Sequence, residues 1–200
     1  MFYIGVDLGK LQDHSALGVI ERPERLEENQ WRIYNALAPL PMELHVRQIE
    51  RVPLGTPYPR VVEKIWGMAR SRAMAGQCVV VVDATGVGTP VIDMLRAADL
   101  GCELTAVTIT GGERPRSGSG RVSVPKKDLI ASLQLSLEKR ELKIARGMSE
   151  VRTLVRELMD VGTGRPREHD DLVMALALAC WRARQPRIGY GPGVIPGMPG

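Results

Sequence analysis

The sequence predicts an α/β protein in which a central mixed β-sheet is flanked by helices. Short runs rich in β-branched residues, such as Tyr3–Val6 and Cys78–Val82, alternate with segments of helical periodicity. Val79–Val82 is apolar without alternation, which indicates a strand covered on both faces. Leu172–Trp181 contains no charged residue and is apolar around its whole circumference, which predicts a buried helix.

The order of these segments predicts hairpin strands followed by β-α-β units, in one domain over residues 1–184 with a flexible Pro/Gly-rich tail at 185–200. Strands are expected at Tyr3–Val6, Ala16–Glu21, Trp31–Leu37, Leu44–Val52, Cys78–Asp83 and Glu103–Ile109. Apolar residues recur at helical spacing in five segments, from Pro59 to Ala73, Pro90 to Ala98, Leu129 to Leu137, Val151 to Met159 and Leu172 to Trp181.

Carboxylates stand at the ends of the most hydrophobic elements. Asp7 ends the first strand, Asp83 ends CVVVVD, and Asp170 and Asp171 precede the apolar helix in HDDLVMALALACW. Open α/β sheets hold their ligands at the carboxyl ends of the strands, and Gly9 gives a substrate room to approach there. We therefore expect the four acids to form one site.

Acids gathered in a cleft repel one another strongly, and bound cations remove that cost. Oxygen ligands suit Mg²⁺ and Mn²⁺. Two such ions about 4 Å apart can activate a water and stabilise the leaving oxygen of a phosphodiester. The acids therefore predict a site for two Mg²⁺ or Mn²⁺ ions.

Each acid also has a purely structural explanation. Asp7 fits a turn after a strand, Asp83 a cap ahead of Thr85 and Pro90, and Asp170 a helix N-cap. Taken singly, these explanations are at least as strong as metal binding. The metal hypothesis depends on the constellation, since the acids lie at the ends of the most hydrophobic elements.

The chain resembles the nuclease domain of phage terminase large subunits, within the ribonuclease H-like superfamily, in four successive segments: GVDLGKLQDHSALGVIE, VVVDATGVGTPVIDML, KKDLIASLQLSLEKRELKIA and HDDLVMALALA. The first and last segments are the most specific. The resemblance implies a ribonuclease H-like fold and catalytic metals bound by Asp7, Asp83 and the Asp170–Asp171 pair, with Asp171 as the main ligand of the pair.

The sequence departs from terminase large subunits in one respect. Those proteins carry an ATPase motor ahead of the nuclease, whereas these 200 residues contain no G-x-x-x-x-G-K-[ST] phosphate loop. The nuclease is then either separated from its motor or free-standing. Holliday-junction resolvases share the arrangement of acids, so the resemblance indicates the chemistry better than the substrate.

A basic segment rich in glycine and serine, TGGERPRSGSGRVSVPKKD, precedes the helix predicted at Leu129. Its length predicts a flexible loop over the acidic cleft that holds DNA phosphates, and a solvated surface loop explains it equally well. The candidate DNA-binding residues are Arg114, Arg116, Arg121, Lys126 and Lys127. The resemblance places Lys126 or Lys127 where a cation could reach the scissile phosphate.

His169 is a further candidate, because it immediately precedes Asp170 and Asp171. It could bind a metal, orient a water, or only precede the helix.

Composition favours duplex DNA over a single strand. The net charge of +4 and the pI near 9.1 suit a polyanionic partner. Aromatic residues make up only 4% of the chain, and Trp31, Trp66 and Trp181 are expected to face the core rather than stack on bases.

The resemblance implies a protein that is encoded by a phage or prophage and acts in the cytoplasm of a bacterial host. The three cysteines have no C-x-x-C spacing and fit buried thiols in a reducing compartment. The apolar helix is too short to span a bilayer, so no membrane partner is expected.

The predicted function is that of a divalent-metal-dependent endonuclease that cuts duplex DNA, as the nuclease part of a packaging terminase. Asp7 would bridge both ions, and Asp83 and Asp171 would complete their shells. A terminase ATPase motor, the small terminase subunit or the portal would be partners. The alternatives are a Holliday-junction resolvase, a non-catalytic packaging subunit, and an actin-like or sugar-kinase-like phosphotransferase, for which the chain is short.

Overall fold

The computed structural model describes residues 1–9, 13–23, 42–86, 88–112, 116–118, 121–163 and 170–185. The strands in these ranges are β1 (Phe2–Asp7), β2 (Ala16–Glu21), β3 (Leu44–Arg51), β4 (Cys78–Asp83), β5 (Glu103–Thr110), β6 (Arg116–Gly118), β7 (Arg121–Pro125) and β8 (Leu142–Ile144). The helices are α1 (Tyr58–Ala69), α2 (Gly88–Ala97), α3 (Lys126–Glu138), α4 (Val151–Thr163) and α5 (Asp171–Arg184).

The described strands form one mixed sheet in the order β6-β7-β5-β4-β1-β2-β3-β8. β1 is antiparallel to β2 and parallel to β4, and β4 is parallel to β5. The carboxyl ends of β1, β4 and β5 therefore lie along one edge of the sheet, the carboxyl edge, and their amino ends lie along the opposite, amino edge. This arrangement confirms the predicted mixed sheet with flanking helices.

The sheet separates two hydrophobic clusters. On one face, alternate residues of β1 and β4 pack with residues of α1 and α2: Ile4, Val6, Val80 and Val82. On the other face, the intervening residues pack with residues of α3, α4 and α5: Tyr3, Val79 and Val81. Because side chains alternate along a strand, Asp7 and Asp83 belong to the face that α5 covers.

Two strand glycines allow α5 to lie directly on the sheet. A Cβ atom on Gly5 would lie 1.9 Å from the carbonyl oxygen of Ala175 and 2.9 Å from the amide nitrogen of Ala179. A Cβ atom on Gly18 would lie 3.3 Å from the amide nitrogen of Leu176. This close packing fixes the position of the amino terminus of α5 relative to the carboxyl edge.

Most predicted elements are confirmed within the described residues. Five of the six predicted strands and all five predicted helices are present, with ends shifted by a few residues. α5 is buried from Asp171 to Cys180, as its uniform apolar composition predicted. The strand predicted at Trp31–Leu37 and the tail residues 186–200 lie outside the described residues. Ala73 lies beyond the end of α1.

The prediction of a long loop between β5 and α3 is wrong, because this segment contains two strands. β6 and β7 pair with each other, and β7 joins the sheet beside β5. Val122 and Val124 alternate with polar residues, a pattern that suits a strand. Val124 is fully buried in the structure. The arginines, glycines and serines around this short pattern concealed it.

Two further expectations can be compared with the structure. Trp66 is 46% exposed, so its predicted core position is wrong, whereas Trp181 packs against the core. Cys78 and Cys180 are buried and Cys102 is half-buried. No helix within the described ranges has the length and apolar composition needed to cross a membrane.

Candidate metal centre at the carboxyl edge

Asp7 and Asp83 are neighbours at the ends of adjacent parallel strands. Val6 is in register with Val82, so the next residue of each strand is the aspartate. The Asp83 carboxylate accepts a hydrogen bond of 2.8 Å from the amide of Thr85, and the Thr85 hydroxyl accepts one of 2.6 Å from the amide of Ile109. Asp83 thus makes the turn contact expected of a capping residue, and that contact fixes the orientation of its carboxylate.

Asp170 and Asp171 lie at the amino terminus of α5. Asp170 occupies the N-cap position, and its backbone carbonyl accepts a hydrogen bond from Met174. Its side chain makes no capping hydrogen bond, however, and accepts a hydrogen bond of 2.8 Å from Nζ of Lys126. Asp171 is only 9% exposed. The capping explanation therefore accounts for the backbone of Asp170 but not for its carboxylate.

The other three acids lie close enough to Asp7 to affect its pKa. Burial raises the pKa of Asp7 well above its ordinary value of 3.8, and repulsion from Asp83, Asp171 and Asp170 raises it further. Lys126 opposes this shift but does not cancel it. The structure therefore brings together the four aspartates that the sequence singled out.

Lys126 is the lysine that reaches this acid cluster, which comprises Asp7, Asp83, Asp170 and Asp171. Burial raises the pKa of Asp83, while hydrogen bonds from Thr85 and the charge of Lys126 lower it. Lys126 begins α3, where a cation is disfavoured by the helix dipole, and the neighbouring Asp170 offsets that cost. Lys127 is exposed at the next position of the helix.

Two of the other predicted DNA-binding residues, Arg116 and Arg121, lie on the β6–β7 hairpin. Arg116 pairs with Ser123, and Arg121 pairs with Gly118, at the side of the sheet next to β5. β7 is parallel to β5 and leads directly into Lys126, so its carboxyl end lies at the carboxyl edge. Arg114 and His169 lie outside the described residues.

Sequence analysis missed a fifth acid near the site, Glu157 on α4. It is 5% exposed and forms an ion pair of 2.5 Å with Arg51, whose guanidinium also lies 3.5 Å from Asp171. Burial raises the pKa of Glu157, the amide of Val173 and Arg51 lower it, and Asp171 and Asp170 raise it. Its spacing in the sequence could have indicated burial, because Glu157 lies three residues after the buried Leu154 on the apolar side of its helix.

The donor atoms fit a hard divalent cation. Carboxylate oxygens are the preferred ligands of Mg²⁺ and Mn²⁺, and a cation between the aspartates would relieve the repulsion that raises the pKa of Asp7. As the side chains of the described residues lie, no three His, Cys, Asp or Glu groups form a complete metal site. Lys126 and Arg51 contact Asp170 and Asp171 instead, so metal binding requires these side chains to shift.

Comparison with known proteins identifies the fold. No protein-family model and no curated protein sequence matches the chain. The large terminase nuclease from the thermophilic phage G20c is similar, with 23% identity and a TM-score of 0.55 over 90% of this chain and 80% of that one. The manganese-soaked human cytomegalovirus terminase nuclease domain has 9% identity and a TM-score of 0.52, over 90% and 81% of the two chains.

RuvC from Thermus thermophilus is also similar, with 13% identity over 92% of this chain and 93% of that one. Its TM-score of 0.45 gives no basis for choosing a junction resolvase over a terminase nuclease. The sheet order and the two terminase nuclease domains show that the chain has a ribonuclease H-like fold, as its motifs predicted.

Proposed function

We propose that the protein is a divalent-metal-dependent endonuclease that hydrolyses phosphodiester bonds of duplex DNA, as the nuclease part of a DNA-packaging terminase. The observation that carries this proposal is the acid cluster, in which three carboxylates repel a fourth at the carboxyl ends of parallel strands. The fold shared with two terminase nuclease domains supports the same assignment.

Asp7, Asp83 and Asp171 would hold two Mg²⁺ or Mn²⁺ ions, with Asp170 beside them. Asp7 would be the central ligand, because it interacts with each of the other three aspartates. Bound ions of this kind supply an activated water and stabilise the leaving oxygen. The Thr85 amide holds the Asp83 carboxylate in place.

Lys126 would exchange its partner when a substrate phosphate approaches the acid cluster. The Lys126 ammonium donates a hydrogen bond of 2.8 Å to Asp170 in the structure. Because Lys126 begins α3 at the carboxyl edge, the ammonium would turn from Asp170 to that phosphate. Lys126 would thus position the scissile phosphate without taking part in proton transfer.

Duplex DNA would be held through its phosphates by the β6–β7 hairpin and the start of α3. The residues concerned are Arg114, Arg116, Arg121, Lys126 and Lys127. Such contacts carry no base information and weaken as salt is added. In a terminase the protein would act in the cytoplasm of a bacterial host, with an ATPase motor, a small terminase subunit or a portal as partners.

The test is cleavage of supercoiled plasmid with Mn²⁺, Mg²⁺ or EDTA. We expect the wild type to cut with metal and not with EDTA, and Asp83→Ala and Asp171→Ala variants that fold normally to be inactive. Glu103→Gln, which alters an acid at the amino edge, is the matched control and should cut normally. Metal-dependent cutting that survives both alanine substitutions contradicts the proposal, and a preference for four-way junctions over linear duplex favours a resolvase.

A further inference from the structure

Glu157 makes two contacts that the proposed chemistry does not require. Its Oε2 accepts a hydrogen bond of 3.0 Å from the amide of Val173, in the first turn of α5. Its Oε1 accepts a hydrogen bond of 2.5 Å from Arg51, and the same guanidinium lies 3.5 Å from Oδ2 of Asp171. The Glu157 carboxylate on α4 therefore contacts the backbone of α5 at Val173. It also contacts the guanidinium of Arg51, which lies beside Asp171, the first residue of α5.

The first contact replaces an ordinary helix cap. The first amides of a helix lack acceptors within the helix, and the side chain of the N-cap residue normally supplies one. Asp170 is the N-cap residue but makes no capping hydrogen bond with its side chain. Because Glu157 accepts from Val173 instead, the Asp170 carboxylate can turn away from the helix amides and accept a hydrogen bond from Lys126 at the acid cluster.

The second contact determines where Arg51 lies. Its guanidinium is 1.0 Å nearer to Glu157 than to Asp171, at 2.5 Å against 3.5 Å. Short charge-assisted hydrogen bonds are the stronger ones, so Glu157 is the preferred partner. If the charge of Glu157 were removed, Arg51 would neutralise Asp171 instead and would compete with any metal ion for that carboxylate.

We infer that Glu157 is a positioning residue for the metal ligands Asp170 and Asp171. It caps α5 in place of Asp170, and it draws the Arg51 guanidinium toward itself, so that the contact of Arg51 with Asp171 stays at 3.5 Å. This inference rests on the proposed function, since it assigns a role in metal binding. Replacing residues that support metal ligands typically lowers metal affinity by about 10- to 100-fold.

The charge-holding role can be tested by calorimetric titration of Mn²⁺ into the full chain. Glu157→Gln keeps the side-chain volume and an acceptor for Val173, and we expect it to weaken Mn²⁺ binding about tenfold. Adding Arg51→Met to the same chain should restore most of that affinity, because the competing cation is gone. Arg47→Met, which removes another β3 arginine paired with a glutamate, is the control and should bind Mn²⁺ normally.

Two results would overturn the charge-holding role. One is a folded Glu157→Gln protein with wild-type Mn²⁺ affinity. The other is a double variant that binds Mn²⁺ no better than Glu157→Gln alone, since a purely structural role for Glu157 would give no such rescue.

The capping role can be tested without metal by hydrogen exchange at the Val173 amide. Glu157→Ala should accelerate that exchange, whereas Glu157→Gln should leave it near the wild-type rate, because the glutamine carbonyl can accept the same bond. Unchanged exchange in the alanine variant would overturn the capping role. If the wild type neither binds Mn²⁺ nor cuts DNA, the proposed function and the metal-positioning inference fail together, and the exchange measurement still decides whether Glu157 caps α5.

Discussion

At the amino edge of the sheet carboxylates are paired one to one with arginines, whereas at the carboxyl edge five acids lie close together beside two cations, Lys126 and Arg51. The amino-edge pairs within the described residues include Arg47–Glu21, Arg70–Asp99 and Arg182–Glu103. At the carboxyl edge, repulsion among aspartates raises the pKa of Asp7 despite the nearby Lys126. One fold thus balances charge at one edge and concentrates negative charge at the other.

The comparison distinguishes ion pairs on the protein surface from acids that form a functional site. Exposed ion pairs contribute little to stability, typically about 0–1 kcal/mol each. A cluster of partly buried acids instead costs stability, and proteins accept such costs mainly at functional sites. Substitutions that remove acidic charges at the carboxyl edge are therefore expected to reduce the activity of the protein and to increase its stability.

The largest expected effect is loss of activity at the carboxyl edge alone. Asp7→Asn should reduce plasmid cleavage by about 1000-fold or more, because the central ligand of the metal centre loses its charge. Removing an amino-edge acid by Asp99→Asn should leave the initial cleavage rate unchanged. Equal effects of the two substitutions, measured at saturating Mn²⁺, would eliminate the functional distinction between the edges.

The close packing of α5 on β1, which positions Asp171, should be highly sensitive to an added methyl group. Gly5→Ala places a methyl group against the α5 backbone, which cannot move aside as a side chain can, and should cost about 3 kcal/mol of unfolding free energy. Gly67→Ala in α1 is the matched control, since nothing beyond its own chain neighbours and helix backbone lies within 4 Å of the added carbon. There alanine should stabilise by about 0.5–1 kcal/mol. Urea unfolding measures both, and a tolerated Gly5→Ala would show that α5 is not held as closely as described.

Asp7→Asn should also stabilise the metal-free protein at pH 7, raising its melting temperature by a few degrees. The pKa of Asp7 is higher in the folded protein than its ordinary value of 3.8, so the unfolded chain releases this proton first as the pH rises. The contribution of Asp7 to stability therefore falls as the pH rises from 3.8 through the folded pKa, and the asparagine variant lacks this loss.

Melting curves recorded between pH 3 and pH 8 would test the predicted direction of this pH dependence. The difference between wild type and Asp7→Asn should be small at the acid end and largest at neutral pH. A variant that is less stable than the wild type at pH 7 would show that Asp7 is well satisfied without metal.

The smallest effect is expected at the amino edge. A double-mutant cycle on Arg47 and Glu21 should give a coupling energy of about 0.2–1 kcal/mol, since Arg47 is exposed. Cleavage should be unaffected in all three variants. A coupling well above this range would show that the amino-edge pairs are structural elements rather than surface charges.

Local patterns were sufficient to predict β1 to β5 and to place the four aspartates at the ends of buried elements. β-branched runs that end in Asp7 and Asp83 indicate where buried strands meet solvent, and the uniformly apolar α5 indicates that its first residues lie near the core. Because β1 and β4 are parallel neighbours, their last residues are adjacent. These inferences need only short stretches of sequence.

The remaining features depend on contacts between distant segments. Arg51 and Glu157 are 106 positions apart, and nothing local to either residue specifies the other. Trp66 follows the buried Ile65 at the margin of the apolar stripe of α1, and spacing alone does not decide whether such a residue is covered. The β6–β7 hairpin becomes apparent only through its pairing with β5.

Calorimetric titration of Mn²⁺ into the metal-free protein tests the central claim most directly, because it asks whether the negative charge at the carboxyl edge is a cation site. The account predicts that the wild type binds two ions, that Asp7→Asn binds much more weakly, and that Asp99→Asn binds like the wild type. Absence of Mn²⁺ binding by the wild type, or equal binding by Asp7→Asn, would contradict it.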